Sequence, residues 1–454
     1  MTVDLVVRGG TVVTPHGRLE GGVAVDGGVI VAVAADGALP AARETIDARG
    51  RHVLPGVIDA HVHFREPGFE YKEDWASGTA AAACGGVTTV LEMPNTRPPT
   101  ATPEALRLKQ ERAARGARVD YGLYGLLGAD NADRLEALAA GGVIGFKCYM
   151  GETVGALPAP DDGVMLEEFQ TAARLGLRVA VHAENNGIMQ QMIRRLKAAG
   201  RTDPLAHVES RPALCAVEAT SRALLFAEWT GAKLHICHES CKQTLPLICA
   251  ARRRGVDVTV ETCPHYLLLT SADMGRLGSV LRMNPPVRAA GHDAALWDAL
   301  LDGTIDMIST DHSPHAIEEK TQPDIWHAVS GFPGVETAVP LMLTEVNRGR
   351  LTLERYVEVA SANPARAWGL YPRKGALAPG SDADITIVDL ARRGVIRGAA
   401  LHSKSRITPF EGVEVAGLPV CTIVRGRVVM RDGAPVGEPG WGRPVTPAAA
   451  AVPA

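Results

Sequence analysis

The stretch that decides the fold is Gly56-Val57-Ile58-Asp59-Ala60-His61-Val62-His63-Phe64-Arg65. The residues from Val53 to Phe64 are mostly apolar or β-branched, which predicts one buried strand. Alternate side chains of a strand share a face and lie about 6.6 Å apart along its axis, so His61 and His63 can reach one metal ion from the same side. Considered alone, the pair is equally consistent with two histidines packed in a core.

Length and composition limit the class of protein. The chain has 454 residues, 46% of them hydrophobic and only 4% aromatic. It can form one large domain and a smaller one, and a core so poor in aromatic residues must consist mainly of Ala, Val, Leu and Ile, as in α/β barrels. The mixed charges and net charge of −4 argue against nucleic-acid binding and a polybasic membrane surface. With no signal-like N-terminus and no long apolar stretch, we expect a cytoplasmic protein.

The cysteines favour a reducing environment. All eight are spread along the chain without CxxC pairs, and most lie in apolar stretches, which predicts reduced, buried thiols. Cys148 and Cys237 lie beside candidate ligands, but strand alternation predicts that both point to the opposite face. We therefore assign both to packing.

The order of predicted elements indicates two domains. Short strands with Gly-rich turns occur in residues 1–55 and again in residues 370–443, and we predict that the two termini pair into one small β-sandwich. Residues 56–369 alternate strands with helices, as in a (β/α)8 TIM barrel, and lack the Gly-rich loop of a dinucleotide fold. The Ala- and Pro-rich residues 444–454 are expected to be disordered. Helices are predicted at Pro103–Arg115, Leu166–Leu175, Ala213–Trp229 and Ala294–Leu301.

Several later strands end on residues that suit a metal site. These strand ends carry Lys147, His182, His238 and Asp311. Because the catalytic groups of a TIM barrel lie at the C-terminal ends of its strands, we expect them to meet His61 and His63 at one mouth. Each residue alone has a structural explanation, such as a core histidine or, for Asp311, a turn former or helix cap. Together, four histidines and an aspartate suit Zn²⁺ or a similar divalent ion, whereas a protonated lysine cannot bind a cation.

This pattern resembles the amidohydrolase superfamily, and most closely its cyclic amidohydrolases: dihydroorotase, allantoinase and hydantoinase. The residues that carry the resemblance are His61-Val62-His63, Lys147, His182, His238 and Asp311. In that family the lysine reacts with CO2, and the resulting carbamate bridges two metal ions, which removes the objection to Lys147. Some bacterial dihydroorotases bridge with an aspartate instead, so Asp161, in the Asp161-Asp162-Gly163 segment, is a rival for the bridge.

The resemblance implies a cofactor and a mechanism. Two divalent ions are expected, with Zn²⁺ as the expected metal, one held by His182 and His238 and the other by His61, His63 and Asp311. Metal coordination lowers the pKa of water from ~15.7 towards ~7, so a hydroxide can attack the ring carbonyl at neutral pH. Asp311 would be the catalytic residue that accepts the proton and passes it to the departing ring nitrogen. The same groups would serve the reverse ring closure.

The choice of ring favours dihydroorotase. Arg65 can form a bidentate pair with a carboxylate, and the segments around it and around Met93-Pro94-Asn95-Thr96 resemble dihydroorotase forms. In that family the residues matching Arg65, Asn95 and His315 grip the substrate carboxylate, and Asn284 of an Asn-Pro-Pro loop contacts the ring. We therefore predict that the protein interconverts dihydroorotate and N-carbamoyl-aspartate in pyrimidine biosynthesis. A surface salt bridge for Arg65 and a turn role for Asn95 are the structural alternatives.

Other segments favour different rings. Gly145 to Met150 and His182-Ala183-Glu184-Asn185 look more like allantoinases and hydantoinases, so allantoinase, hydantoinase and cyclic imide hydrolase are the alternative functions. Hydantoinases, however, usually carry a tyrosine shortly after the position of Met150, and allantoinases usually have Asn in place of Arg65. A non-catalytic dihydroorotase-like scaffold is a remote alternative, because such proteins have lost metal ligands that this chain keeps. The only expected partners are a small-molecule substrate and further copies of the chain in a dimer or tetramer.

Overall fold

The computed structural model describes residues 2–152 and 157–448. The strands are β1 (Thr2–Thr14), β2 (Gly17–Asp26), β3 (Val29–Ala34), β4 (Ala41–Asp47), β5 (His52–Pro55), β6 (Val57–Val62), β7 (Val87–Glu92), β8 (Asp120–Leu127), β9 (Gly145–Tyr149), β10 (Val179–His182), β11 (Leu234–Ile236), β12 (Val258–Thr262), β13 (Met307–Ile308), β14 (Ile385–Val395), β15 (Glu414–Val424), β16 (Arg427–Arg431) and β17 (Ala434–Pro435). The α-helices are α1 (Trp75–Cys84), α2 (Pro103–Gly116), α3 (Leu135–Ala140), α4 (Asp162–Leu175), α5 (Asn186–Ala198), α6 (Pro204–Ser210), α7 (Ala213–Thr230), α8 (Leu245–Arg253), α9 (Pro264–Leu268), α10 (Met274–Leu277), α11 (His292–Asp302), α12 (Ile317–Lys320), α13 (Ala338–Asn347), α14 (Leu353–Val357) and α15 (Asn363–Ala367). Among the helices of these residues, none is both long and apolar enough to cross a membrane.

Strands β6 to β13 form the barrel. They lie side by side in chain order, and each pairs with its neighbour in parallel. The first and last strands meet where Val62 bridges to His312 and the backbone N–H of His63 donates to the carbonyl of His312 at 2.8 Å. The predicted TIM barrel is therefore confirmed, and all four predicted helices are present, as α2, α4, α7 and α11.

The two chain ends form a second, separate sheet. Its nine strands follow the order β17-β16-β15-β14-β5-β1-β2-β3, with β4 paired to β1. The ends join where β5 runs antiparallel to β14, with Leu54 opposite Thr386. Apolar side chains from both ends, such as Val25 and Ile423, share one buried cluster. The predicted small β domain built from both termini is thus confirmed, and its strands are continuous within one sheet.

Gly56 divides the run that was predicted to be one strand. That prediction was wrong, because β5 belongs to the terminal sheet and β6 to the barrel. The N–H of Gly56 donates to the carbonyl of Asp384 at 2.8 Å, and a Cβ at Gly56 would lie 2.1 Å from Oγ1 of Thr88. Only glycine fits this close approach, so Gly56 lets the chain pass directly from the sheet into the barrel.

A buried lysine joins the sheet to the barrel. Nζ of Lys374 lies 2.7 Å from a carboxylate oxygen of Asp384, beside β14, and also contacts Asp120 at the start of β8. Both carboxylates and the lysine are buried. Burying ionised groups is favourable only when they are paired, so this cluster fixes one domain against the other.

The end of the chain is more ordered than expected. Residues 444–448 belong to the predicted disordered tail, but Pro444 bridges to Tyr121, and the N–H of Val445 donates to the carbonyl of Tyr121 at 2.8 Å. Val445 is buried, so hydrogen bonding and burial hold this segment on the barrel, and the prediction was wrong for residues 444–448. Residues 449–454 lie outside the described residues.

Candidate metal centre and active site

The two histidines of the opening motif converge on one aspartate. His61 lies in β6, His63 follows that strand, and Asp311 lies three residues past β13. Nε2 of His61 and Nε2 of His63 lie 3.3 and 3.0 Å from Oδ1 of Asp311. All three side chains are buried at the C-terminal end of the barrel strands. The first and last strands of the barrel thus bring these three predicted ligands together.

The other two histidines lie on the adjoining wall. His182 is the last residue of β10, and His238 lies two residues past β11. Nδ1 of His182 is 3.0 Å from Nε2 of His238, and candidate ligand atoms of His61, His238 and Asp311 all lie within 4.8 Å of one another. The structure therefore places all four histidines and the aspartate in one cluster.

Three residues of the strand ends adopt left-handed backbone conformations. The φ angles of Arg65, His238 and Asp311 are 64°, 38° and 47°. This region is costly for residues other than glycine and is concentrated at functional sites. The positive φ of His238 breaks the alternation of β11, and that break directs its ring towards His182.

Lys147 lies beside the histidine cluster. It is fully buried in β9, and its Nζ lies 3.0 Å from Sγ of Cys237 and 5.2 Å from the ring centre of Tyr149. The prediction that Cys237 faces away was therefore wrong, because the alternation it assumed ends before His238. All eight cysteines are free thiols, seven of them buried, so none of the described residues forms a disulfide.

The hydrogen-bond partners of His61 and His63 indicate which ring nitrogen of each carries the proton. Nδ1 of His61 lies 2.5 Å from Oε1 of Glu261, and Nδ1 of His63 lies 2.7 Å from Oδ1 of Asn95. Burial, with the nearby charge of Lys147, lowers the pKa of His61 to about 4, and burial, with Arg65, lowers the pKa of His63 well below its usual value. Both rings are therefore neutral at pH 7, with the proton on Nδ1.

The neutral tautomers of His61 and His63 decide whether the site suits a metal ion. Each Nε2 then carries a lone pair, and both lone pairs face the same oxygen of Asp311, a carboxyl whose pKa is raised by burial, at no more than 3.3 Å. Such an arrangement is repulsive unless a proton or a metal cation lies among the three atoms. Neutral imidazole and carboxylate ligands held by outer carboxylates are the donor set that divalent zinc and similar ions prefer. The residues present therefore fit a divalent ion.

Two carboxylates that orient the histidines were missed in the sequence. Glu261 of β12 contacts His61, and Oε2 of Glu184 lies 3.0 Å from Nε2 of His182, which leaves Nδ1 of His182 facing His238. Glu184 is itself paired with Arg211. The sequence did contain a signal for Glu261, because it is a charged residue within the otherwise uncharged strand Val258–Thr262. A charged side chain is rarely buried without a partner.

The rival bridging residue lies elsewhere. Asp161 is exposed, and its side chain accepts a hydrogen bond from the N–H of Val164 at 2.9 Å, so it caps helix α4. It does not line the cavity beside the histidines. The aspartate alternative for the bridge is therefore wrong, because the capping bond holds this carboxylate at the helix start.

Two residues predicted to hold a substrate carboxylate lie behind the cavity wall. Arg65 is buried, its Nε donates to the carbonyl of Pro314 at 3.2 Å, and its Nη2 donates to Oγ of Ser313 at 2.5 Å. Nε2 of His315 lies 3.0 Å from the carbonyl of Ser330. Ser313 and Ser330 line the cavity, whereas Arg65 and His315 do not. Arg65 and His315 thus support the residues that form the wall.

The wall of the cavity is polar and uncharged outside the candidate ligands. Besides those ligands, the lining consists of Asn95, Tyr149, Asn284, Ser313, Ser330 and Gly331. The hydroxyl of Tyr149 and Oδ1 of Asn284 are buried and have no hydrogen-bond partner among the described residues. Burial raises the pKa of Tyr149 well above its usual value, so its hydroxyl stays protonated and can donate. Unpaired polar atoms facing a cavity are suited to a polar ligand.

The barrel and this cluster define a class of protein: a TIM-barrel enzyme with a candidate metal centre at the mouth of its strands. Residues 52–429 match the model of the amidohydrolase family. The chain belongs to this family and, within it, to the cyclic amidohydrolases, which are hydrolases that act on cyclic amides.

Individual relatives span several activities. The chain is 45% identical over 448 residues to an allantoinase of Rubrobacter xylanophilus, with 98% of each chain covered. It is 40% identical over 413 residues to a dihydroorotase of Methanothermobacter thermautotrophicus, with 90% of this chain and 91% of that one covered. Among solved structures, the L-hydantoinase (dihydropyrimidinase) from Arthrobacter aurescens has a TM-score of 0.96 at 39% identity, covering 98% of this chain and 100% of that chain.

Proposed function

We propose that the protein opens the ring of a neutral cyclic ureide of the hydantoin type, with allantoin as its preferred substrate. Similarity to an allantoinase and an L-hydantoinase over 98% of the chain or more supports this choice better than the dihydroorotase interpretation. The similarity to a dihydroorotase covers less of the chain, at 90%.

The observation that carries this proposal is the nature of the cavity wall. Among the described residues, no arginine or lysine side chain lines the cavity beside the histidines. Arg65, the residue expected to hold a carboxylate, donates to Ser313 and to the carbonyl of Pro314; its Nη1 is buried without a partner among the described residues, and the side chain does not line the cavity. A ring that carries a carboxylate would be buried without a cationic side chain in the described cavity wall, which is unfavourable. A neutral ring meets no such penalty.

The polarity of the wall supports allantoin among neutral rings. Allantoin is a hydantoin ring with a ureido substituent, which offers N–H donors and a carbonyl acceptor. Oδ1 of Asn284 and the hydroxyl of Tyr149 lack partners in residues 2–152 and 157–448 and are free to bond to such a group. The described lining contains no aliphatic side chain that would favour a hydantoin with an alkyl substituent.

The chain's own residues supply binding and proton transfer. The four histidines, Asp311 and a carbamate formed on Lys147 would hold two divalent ions, with Zn²⁺ as the proposed metal, and these ions would supply Lewis-acid activation of the ring carbonyl and of a water nucleophile at neutral pH. Asp311, which lies against both His61 and His63, would accept a proton and pass it to the departing ring nitrogen. Tyr149 would donate its hydroxyl to a ring oxygen, and Asn284 would orient the ring.

The test compares substrates on the metal-loaded enzyme. We expect kcat/KM for allantoin to exceed the values for hydantoin, dihydroorotate and succinimide by at least tenfold. A preference for hydantoin over allantoin would support the proposed hydantoin-type ring and refute allantoin as the preferred substrate. A preference for dihydroorotate or succinimide would refute the proposal.

A further inference from the structure

A second cavity opens directly beside the active-site cavity. The two share Asn284 and Ser330, and the outer cavity holds about 1000 Å³ of empty space, part of it open to solvent. It is lined by residues of α5 and α6, of the loop before Asn284 and of residues 326–330. A group that projects from a ring in the active site past Asn284 would enter this outer cavity.

The outer cavity carries an excess of positive charge. Its described lining includes Lys197, Arg211 and Arg282, against a single carboxylate, Glu152. Nζ of Lys197 lies 5.4 Å from the ring centre of Trp326, and the carboxylate of Glu152 accepts a hydrogen bond from Gln190. Like charges gathered in a cleft with low-dielectric walls raise the local concentration of counter-charged ligands.

Two of these cations have donors that no described residue accepts from. Arg211 is 4% exposed; its Nη1 donates to Glu184, while its Nε is buried without a partner among the described residues. Arg282 donates through Nη1 to two backbone carbonyls, and its Nε is likewise buried with no partner in the part of the chain that the structure describes. Burial and the charge of Arg211 lower the pKa of Arg282 to about 10. Leaving such donors buried is costly unless a ligand accepts from them.

We propose that the outer cavity is a carboxylate-binding subsite of the enzyme. Guanidinium groups match the planar carboxylate well, because two N–H donors can face its two oxygens. This inference rests on the proposed function, since ring opening of a cyclic ureide leaves a carboxylate on the product. The carboxylate has two candidate sources: the group formed by ring opening, or an acidic substituent on the ring.

The outer cavity offers the carboxylate of the product a favourable environment that the wall of the active-site cavity lacks. Among the described residues, the inner wall contains no lysine or arginine side chain that could pair with the carboxylate. The outer cavity, reached past Asn284 and Ser330, offers three. A carboxylate formed in the inner cavity therefore lies next to a region of favourable potential, which assists its release.

Lys197 is the residue to change, because it is exposed on α5 and we therefore expect its substitution to leave the fold intact. The variants are Lys197→Gln and Lys197→Glu. The matched control is Arg194→Gln, an exposed cation of the same helix that bonds only to Gln191 in the described structure and does not line the cavity. Binding of N-carbamoylglycine, the ring-opened form of hydantoin, is measured by calorimetry on the metal-loaded enzyme.

The expected result is at least threefold weaker binding of N-carbamoylglycine in Lys197→Gln, a larger loss in Lys197→Glu and no change in Arg194→Gln. A parallel assay compares kcat/KM for hydantoin and 5-(2-carboxyethyl)hydantoin. A selective loss on the acidic ring supports the substituent as the source, and a loss confined to carbamoylglycine binding supports the product. Unchanged binding and an unchanged ratio of the two kcat/KM values would overturn the subsite. The calorimetric result needs no turnover, so it is separate from failure of the proposed function.

Discussion

Oε1 of Glu261 lies 2.5 Å from Nδ1 of His61, and the same oxygen accepts a hydrogen bond from the backbone N–H of His238 at 3.0 Å. One carboxylate thus orients two candidate metal ligands from different strands. Both bonds are fully buried, and neither residue of the pair His61–Glu261 is solvent-accessible beyond 1%. Outer partners of this kind fix the tautomer of a ligating histidine and raise its basicity.

Glu261→Gln should weaken the metal centre. The amide keeps the size of the side chain but removes the charge that holds the proton on Nδ1 of His61, and outer-shell changes typically cost about 10–100-fold in metal affinity or activity. Competition with a chelator measures the affinity. Glu228→Gln is the control, because Glu228 pairs only with Arg254 at the surface. Equal metal affinity in Glu261→Gln and the wild type would contradict the orienting role.

Arg65→Gln should reduce activity on neutral and carboxylated rings by the same factor. Arg65 holds Ser313 and the carbonyl of Pro314 and does not line the cavity, so its loss would disturb the wall for every substrate. The measurement is kcat/KM for allantoin and for dihydroorotate in the variant and the wild type. A loss confined to dihydroorotate would show instead that the guanidinium binds the substrate carboxylate.

Lys374→Met should destabilise the junction of sheet and barrel. It leaves Asp384 buried without its cation, while Asp120 keeps its ion pair with Arg425, and breaking a buried ion pair typically costs about 3–5 kcal/mol. The midpoint of thermal unfolding at pH 7.5 should fall clearly. Lys404→Met is the control: Lys404 is 37% exposed and pairs with Asp74, so its loss should cost at most about 1 kcal/mol.

The stability lost in Lys374→Met should depend on pH in a defined direction. Burial raises the pKa of Asp384 to about 6, against the opposing charge of Lys374. Since the folded pKa lies above the value of about 3.9 in an unfolded chain, the contribution of Asp384 is most favourable below pH 4 and is lost as the pH rises through 6. Without Lys374 the folded pKa rises further. The deficit of Lys374→Met should therefore shrink when the pH is lowered from 7.5 to 5, and a deficit that grew would contradict this explanation.

Strand ends were the informative part of the sequence. His61 lies near the end of β6 and His63 directly after it, and both face Asp311 as predicted; Asp311 and His182 follow from the rule that barrel ligands lie at the carboxyl ends of strands. The prediction failed where the backbone leaves the β region. His238 has a φ of 38°, so alternation placed Cys237 on the wrong face. Gly56 likewise separates two strands inside one apolar run, because β5 before it pairs with the distant strand β14, whereas β6 after it pairs within the barrel.

Long-range partners were the part that sequence reasoning could not supply. Glu261 lies 200 positions from His61, and no local pattern indicates that the two meet. The support of the cavity wall by Arg65 depends on the loop at Ser313, 248 positions away. These contacts exist only because the barrel closes and brings β12 and the loop after β13 beside β6. The predicted dimer or tetramer stays a prediction.

The central claim is that Lys147, Asp311 and the four histidines hold a pair of divalent ions. Its most direct test is the metal content per chain, measured by mass spectrometry after metal-replete expression and gel filtration, in the wild type and in Lys147→Met. We predict about two ions per chain in the wild type and a clear loss in the folded variant. A wild-type chain that carries no metal, or a Lys147→Met variant that keeps both ions, would contradict the claim.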